Sequence, residues 1–251
     1  VRCVLPRPEI VCRRGRREAL RTTGNQIGRD GDGRNSEHGK PGGSRRVAGL
    51  FALAEKQGAW LSVEEHTPLE LWFADGVDGP WEWKGPVIQK TGCAYGKFFG
   101  GKAGFISKEW YPDFANYRRD GYDFDARYDD GLARNLDKRV YDALLEHQPL
   151  LSKEWRKLTG IEKRGEFDAV VTRLQMQGYV VTVNFEYATD KNGKPYGWGL
   201  ARYATPEAAF GEAFTEKVYQ RSPEESRQKI ETCLRQLLPW ATARQIKWIV
   251  G

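Results

Sequence analysis

Between Asp137 and His147, the apolar residues Val140, Tyr141, Leu144 and Leu145 fall three and four positions apart. That spacing gives a helix one apolar face, and Pro149 stops it. Ser152 stands where an N-cap is expected, ahead of a second short helix from Lys153 to Leu158 that Gly160 closes. A third helix is predicted from Glu166 to Gln177, with Phe167, Val170, Val171 and Leu174 on one face and Gly178 as its C-cap. The pattern then changes. Tyr179 to Tyr187 is rich in β-branched and aromatic residues, as a strand favours. Asp190-Lys-Asn-Gly193 is a hairpin tip, because Asn-Gly tolerates the positive φ of a tight turn. Tyr196 to Tyr203 returns as the partner strand. Three helices followed by a two-stranded hairpin is the order of a winged helix-turn-helix, here at residues 136–206.

The flanks are patterned less regularly. Val47 to Gln57 reads as a short apolar helix. Ser62 to Pro68 reads as a connection or a helix start, with Ser62 and Glu65 as a capping box, and Leu69 to Phe73 is apolar. Asp78-Gly-Pro80 presents Trp81 and Trp83, on a strand or on a helical turn after Pro80. Ala94 to Phe99 and Ala103 to Ile106 flank Gly100-Gly101 as a hairpin. A helical segment follows from Ser107 to Arg119 and ends near Gly121, with Trp110, Phe114 and Tyr117 able to share a face. Beyond the winged helix, Pro206 opens one helix at N1. Ser222 caps another that runs to Leu238, and a last short helix spans Ala241 to Val250. The fold class is therefore α+β. A basic leader (1–46) precedes a small aromatic-rich α+β subdomain (47–135), the winged helix (136–206) and C-terminal helices (207–251).

Composition changes this picture in one place. The 251 residues carry a formal charge of +6, with 40 Lys and Arg against 34 Asp and Glu. Residues 1–46 hold 12 of the basic and 5 of the acidic ones, so beyond them 28 basic face 29 acidic, a balance of −1. The basic character belongs to the leader, and the overall charge is poor evidence that the rest binds nucleic acid. The leader is Arg- and Gly-rich without periodicity. It reads as a disordered or extraneous extension, or else as a basic arm tracking phosphates. The four cysteines and three histidines are scattered without metal-ligand spacing. A cytoplasmic protein without metal or cofactor is expected, and no apolar run is long enough to span a membrane.

Three groups of residues carry candidate chemistry. Trp81 and Trp83 are core anchors or a platform for a base. Arg118 and Arg119 close a helix C-terminus, where cations suit the dipole. They could reach phosphate, but pairing with the acidic loop that follows is the simpler expectation. That loop, Asp120 to Gly131, holds five Asp in its first eleven residues, Asp123 and Asp125 among them. It departs from the calcium-loop pattern, which leaves a solvated linker or a catalytic carboxylate.

The segments Tyr95-Gly-Lys-Phe-Phe, Gly104-Phe-Ile-Ser-Lys-Glu-Trp, Phe114-Ala-Asn-Tyr-Arg-Arg-Asp-Gly-Tyr-Asp-Phe-Asp-Ala-Arg, Leu174-Gln-Met-Gln177 and Tyr196-Gly-Trp-Gly resemble bacterial proteins of the AlkZ-related family. The resemblance covers about residues 47–211. It points to the AlkZ-type DNA glycosylases, which are built from winged helices and carry a Gln-apolar-Gln or Gln-apolar-Asp catalytic motif. Gln175-Met176-Gln177 matches that motif in type. The resemblance implies that the two amides position water and stabilise positive charge developing on the sugar. This chain departs from those enzymes in being shorter, with one winged helix in place of several. Gln177 also lies beside the Gly178 cap, where Gln is an ordinary helix former.

Three functions follow for comparison. A DNA-associated winged helix would use the third helix and phosphate contacts from Arg173, Lys191 and Lys194. A glycosylase-like enzyme would stack a flipped base on Trp81, Trp83 or Tyr95. A non-catalytic winged helix would bind a protein partner and show an exposed apolar patch.

Overall fold

The computed structural model describes residues 60–62, 80–193 and 195–251, with the backbone alone at 60–62, 80–83, 195–198 and 237. The apolar stretches expected at 47–57 and 69–73 lie outside these residues, as does Glu65 of the expected capping box. Ser62 itself ends a strand.

The elements run β1 (Trp60–Ser62), α1 (Pro80–Thr91), β2 (Ala94–Phe99), β3 (Lys102–Ile106), α2 (Tyr111–Arg119) and α3 (Phe124–Asp129). Then come α4 (Asn135–His147), β4 (Leu150–Leu151), α5 (Ser152–Thr159), α6 (Arg164–Met176), β5 (Val181–Thr189) and β6 (Pro195–Ala204). The chain continues through α7 (Pro206–Phe210), α8 (Glu212–Val218), α9 (Pro223–Leu237) and α10 (Ala243–Val250). The class is α+β. The six described strands form one antiparallel sheet in the order β1-β3-β2-β5-β6-β4.

Two hairpins build that sheet, and both turns have a local cause. Gly100 and Gly101 take φ of 60° and 82° between β2 and β3. At the second tip, Gly193 takes φ 78° and the Asp190 carboxylate accepts from the Asn192 N–H at 2.8 Å. The hairpins meet at a single register pair, Tyr95 with Thr182. Past it β2 bulges between Gly96 and Phe99, and the Lys97 N–H donates to Oε1 of Gln175 at 2.9 Å. A helix side chain thus supplies the acceptor that a neighbouring strand would otherwise give. Gly96 has to be glycine there. A Cβ would come within 2.9 Å of both that oxygen and the Phe98 ring.

Helix ends follow the capping chemistry with one correction. Thr205, Ser222 and Thr242 accept from backbone N–H groups three residues on, at the starts of α7, α9 and α10. Ser152 does not cap α5. It is the first helical residue, Leu151 is the cap position, and Glu154 reaches back to the Leu151 N–H at 3.1 Å. The α5 start is displaced one residue because Leu150 and Leu151 pair with Tyr203 and Arg202 of β6. The expected helix at Ser107 begins only at Tyr111, after a turn. Trp81 and Trp83 lie on α1, the helical alternative of the two expected.

Side chains of α4, α5 and α6 close one core around Trp155, which is fully buried and donates Nε1 to the Val140 carbonyl at 2.8 Å. A second core joins Phe98, Phe99, Tyr111 and Phe114 to Phe214, Ile230, Leu234 and Ile249. The C-terminal helices therefore share their apolar faces with the aromatic-rich segment that precedes the α4–β6 unit in sequence.

α2 lies at the crossing of these parts. Asp113, Asn116 and Arg119, three residues apart, are all buried. Asp113 accepts from Ser226 Oγ and pairs with Lys229 and Arg221. Asn116 donates to the Arg221 carbonyl at 2.8 Å and to Ser226 at 3.0 Å. Arg119 donates Nε and Nη2 to the Gly178 carbonyl, and Nη1 to Glu207 at 2.6 Å and Tyr219 at 3.0 Å. Gly178 is the contact point: its φ is 80°, and the Ala115 Cα would lie 3.1 Å from any Cβ placed on it. A Schellman pair, Gly178 N–H to Gln175 O and Tyr179 N–H to Leu174 O, ends α6 there.

Candidate functional site

α6 divides its residues between two environments. Phe167, Val170, Val171 and Leu174 point into the core. The opposite side, Gly165, Asp168, Ala169, Thr172, Arg173 and Met176, lines an open groove of about 980 Å³. Tyr117, Arg118 and Asp120 form the facing wall, with Gln177 and Gly251 at one end.

Arg173 is held on the groove side from beneath. Its Nε donates to Oδ2 of Asp137 at 2.8 Å and its Nη2 to Oδ1 at 2.5 Å. Asp137 is only 3% exposed. The hydrogen bond to this carboxylate and its charge outweigh partial burial and hold the guanidinium above its usual range. Nη1 has no partner among the described residues.

Arg118 and Arg119, adjacent in sequence, separate completely. Arg118 turns toward the groove, and no carboxylate pairs with it among the described residues. Its Nε donates to the Val250 carbonyl at 2.6 Å and its Nη1 to Met176 at 3.2 Å. Nη2 reaches Phe98 at 3.3 Å and Ile249 at 3.5 Å. Three of these carbonyls end α6 and α10, so the cation sits where two helix C-termini converge. Its carbon lies 4.7 Å from the Phe114 ring centroid. Burial pushes Arg118 down to about 10. Arg119 is 1% exposed, and its donors are engaged beneath the surface. Burial opposes its charge, but Glu207 and Tyr219 more than offset that and keep it firmly protonated. Neither arginine pairs with the acidic loop, because packing around α2 turns both toward the protein. Arg119 has no face left for a phosphate.

The loop is partly helical. Asp123 caps α3 by accepting from the Ala126 N–H at 2.8 Å, and Asp125 is exposed and pairs with Lys138 at 3.2 Å. Neither lines the groove. Among the described residues, no cluster of His, Cys, Asp or Glu could hold a metal ion, and no helix is long and apolar enough to cross a membrane.

The two motif amides also part company. Gln175 is 2% exposed with its Oε1 accepting from Lys97, while Gln177 lines the groove. Lys191 is exposed at the second hairpin tip. Lys194 and the side chains of Trp81 and Trp83 lie outside the description. Tyr95 is buried against Phe105 and Phe185, with ring centroids 4.7 and 5.7 Å away. Sequence reasoning missed Asp137 as the anchor of Arg173, and Lys97 beside Thr172. Asp137 and Arg173 are 36 positions apart, so no local spacing signals their pairing.

The fold and groove define an α+β protein in which one helix presents a polar face beside an exposed hairpin. The family model described as AlkZ related matches residues 46–251, and the chain belongs to that family. No curated protein and no solved structure matches it.

Proposed function

We propose that the protein is a DNA-associated winged-helix protein. In this reading α6 is the helix that approaches nucleic acid, and the β5–β6 hairpin is the wing. The observation that carries the reading is the division of α6, with its apolar side in the core and its polar side open on the groove. The order α4, β4, α5, α6, β5, β6 supports it, as does the pairing of β4 with β6, which holds the first helices to the hairpin. Family membership supports association with DNA. Arg173 and Lys191 are the proposed phosphate contacts, with Lys194 proposed from the sequence alone.

Glycosylase-like base excision is the catalytic extension of the same reading. Gln177 supports it through its place in the groove, with Asp120 and Asp168 as the nearby carboxylates. A non-catalytic protein-binding module is the alternative. Exposed Leu145, Leu158, Leu200 and Trp240, each between 46% and 52% accessible, are the apolar side chains such a module would offer a partner.

The test is DNA affinity across a salt series, for the full chain and for residues 46–251. Counterion release makes the logarithm of affinity fall by about 0.9 per phosphate contact for each unit of log salt. A steep fall that persists in residues 46–251, and is reduced by Lys191→Ala, supports the reading. No binding at low salt sinks it and directs attention to protein partners. Base release assayed with Gln177→Ala then tests the catalytic extension.

A further inference from the structure

The groove has two walls, and the second decides what can enter. α6 supplies one through Ala169, Thr172 and Met176, and the end of α2 supplies the other through Tyr117, Arg118 and Asp120. A helix that reads duplex DNA enters a major groove about 12 Å wide, so its outer face must be clear of protein. The C-terminal half of α6 is not clear, because it faces α2 across the groove. The open groove, about 980 Å³, is at the upper end of the range for small-molecule sites, roughly 300–1,000 Å³. It suits a few nucleotide units in single file and is too small for a double helix.

The lining has the chemistry for such a strand. Arg173 is oriented by buried Asp137 and keeps Nη1 without a partner. Beside the lining, the Lys97 ammonium stands 3.4 Å from Oγ1 of Thr172, which forms part of that wall. Tyr117 and Met176 offer surface on which a base can pack. Asp120 and Asp168 would repel a phosphate, but they can accept from the N–H edges of bases. The Watson–Crick N–H groups among them, guanine N1–H and thymine N3–H, are engaged by pairing in a duplex and available in an unpaired strand.

Resting on the DNA-associated reading, we propose that this groove binds an unpaired stretch of nucleic acid. Its backbone runs past Arg173 and Lys97, and at least one base packs against Tyr117. Asp137 is a positioning residue in this arrangement, acting through Arg173.

The experiment measures the affinity of the full chain for three labelled probes: a single-stranded oligonucleotide, the blunt duplex of the same sequence, and that duplex with an unpaired bulge. Every comparison keeps residues 1–46 present, so their basic charge is constant. The single strand and the bulged duplex are expected to bind at least tenfold more tightly than the blunt duplex. Thr172→Trp, which fills the groove, and Arg173→Gln should each remove that preference, and Lys217→Ala, an exposed position outside the groove lining, should preserve it. Asp137→Asn should weaken single-strand binding with a smaller salt slope, a change that loss of packing alone does not produce. Equal or tighter binding of the blunt duplex overturns the proposal while leaving DNA association standing. So does an undiminished preference in folded Thr172→Trp and Arg173→Gln proteins. Absence of binding to all three probes overturns the DNA-associated reading itself.

Discussion

α2 and α6 are both short, charged helices, and they use their polar residues in opposite ways. α2 turns Asp113, Asn116 and Arg119 inward and joins them to α7, α9 and the end of α6. α6 turns Asp168, Thr172 and Arg173 outward onto a groove and keeps an apolar face for the core. The difference lies in the number of neighbours. α2 is packed against several elements at once, so its polar groups lose water and need protein partners. α6 has one side without packing, so its polar groups remain available to a ligand. Buried charge on α2 is part of the framework, while exposed charge on α6 is a candidate for recognition.

Substitutions sharpen that contrast. The largest effect is expected at Arg119. Arg119→Met removes the partner of Glu207, Tyr219 and the Gly178 carbonyl. Losing both donors to the buried Gly178 carbonyl together with the partner of half-buried Glu207 costs about 3–5 kcal/mol in sum, read as a lower urea midpoint. A loss under about 1 kcal/mol would mean that the α2 network is not structural.

Gln175 and Gln177 divide the same contrast within two residues. Gln175→Ala leaves the Lys97 N–H without its acceptor, so stability should fall by about 1–3 kcal/mol in equilibrium unfolding. Gln177→Ala is expected to stay within about 0.5 kcal/mol of the parent, as surface changes usually do. If the two variants prove equally stable, the difference drawn between them collapses.

The smallest effect is a pH dependence on the exposed side of the start of α9. Hydrogen bonds from Arg227 and Gln228 hold the exposed Glu224 carboxyl down at about 2, against an ordinary value of 4.5. A depressed folded-state value means that the stabilisation is present above the ordinary value and lost as pH falls toward the folded one. Melting temperature should therefore decline through this group between pH 4.5 and about 2. Glu224→Gln should make that decline shallower, and an unchanged profile would remove Glu224 from the account.

The element order was legible in the sequence because it depends on local periodicity. Val140, Tyr141 and Leu144 announce α4, Phe167 to Leu174 announce α6, and Asn192-Gly193 announces the second hairpin. The helix starts at Pro206 and Pro223 were legible for the same reason, since a cap and a proline at N1 act within a single turn. α3 and α8 were not anticipated, and the two shortest strands, β1 and β4, were not legible. They have three and two residues, and each is defined by a partner strand distant in sequence.

The candidate site was legible only in its residue types. Sequence alone determined that α6 is amphipathic, that Arg173 and Gln177 lie at its end, and that arginines close α2. Tertiary structure decided that Arg118 meets two helix ends, that Arg119 is buried, and that Gln175 holds a strand while Gln177 faces a groove. Those outcomes turn on burial and hydrogen bonding between residues 58 to 134 positions apart, as in Arg118 with Met176 and Tyr117 with Gly251. A short window of sequence records the period that makes a helix, but not which neighbours remove its polar groups from water.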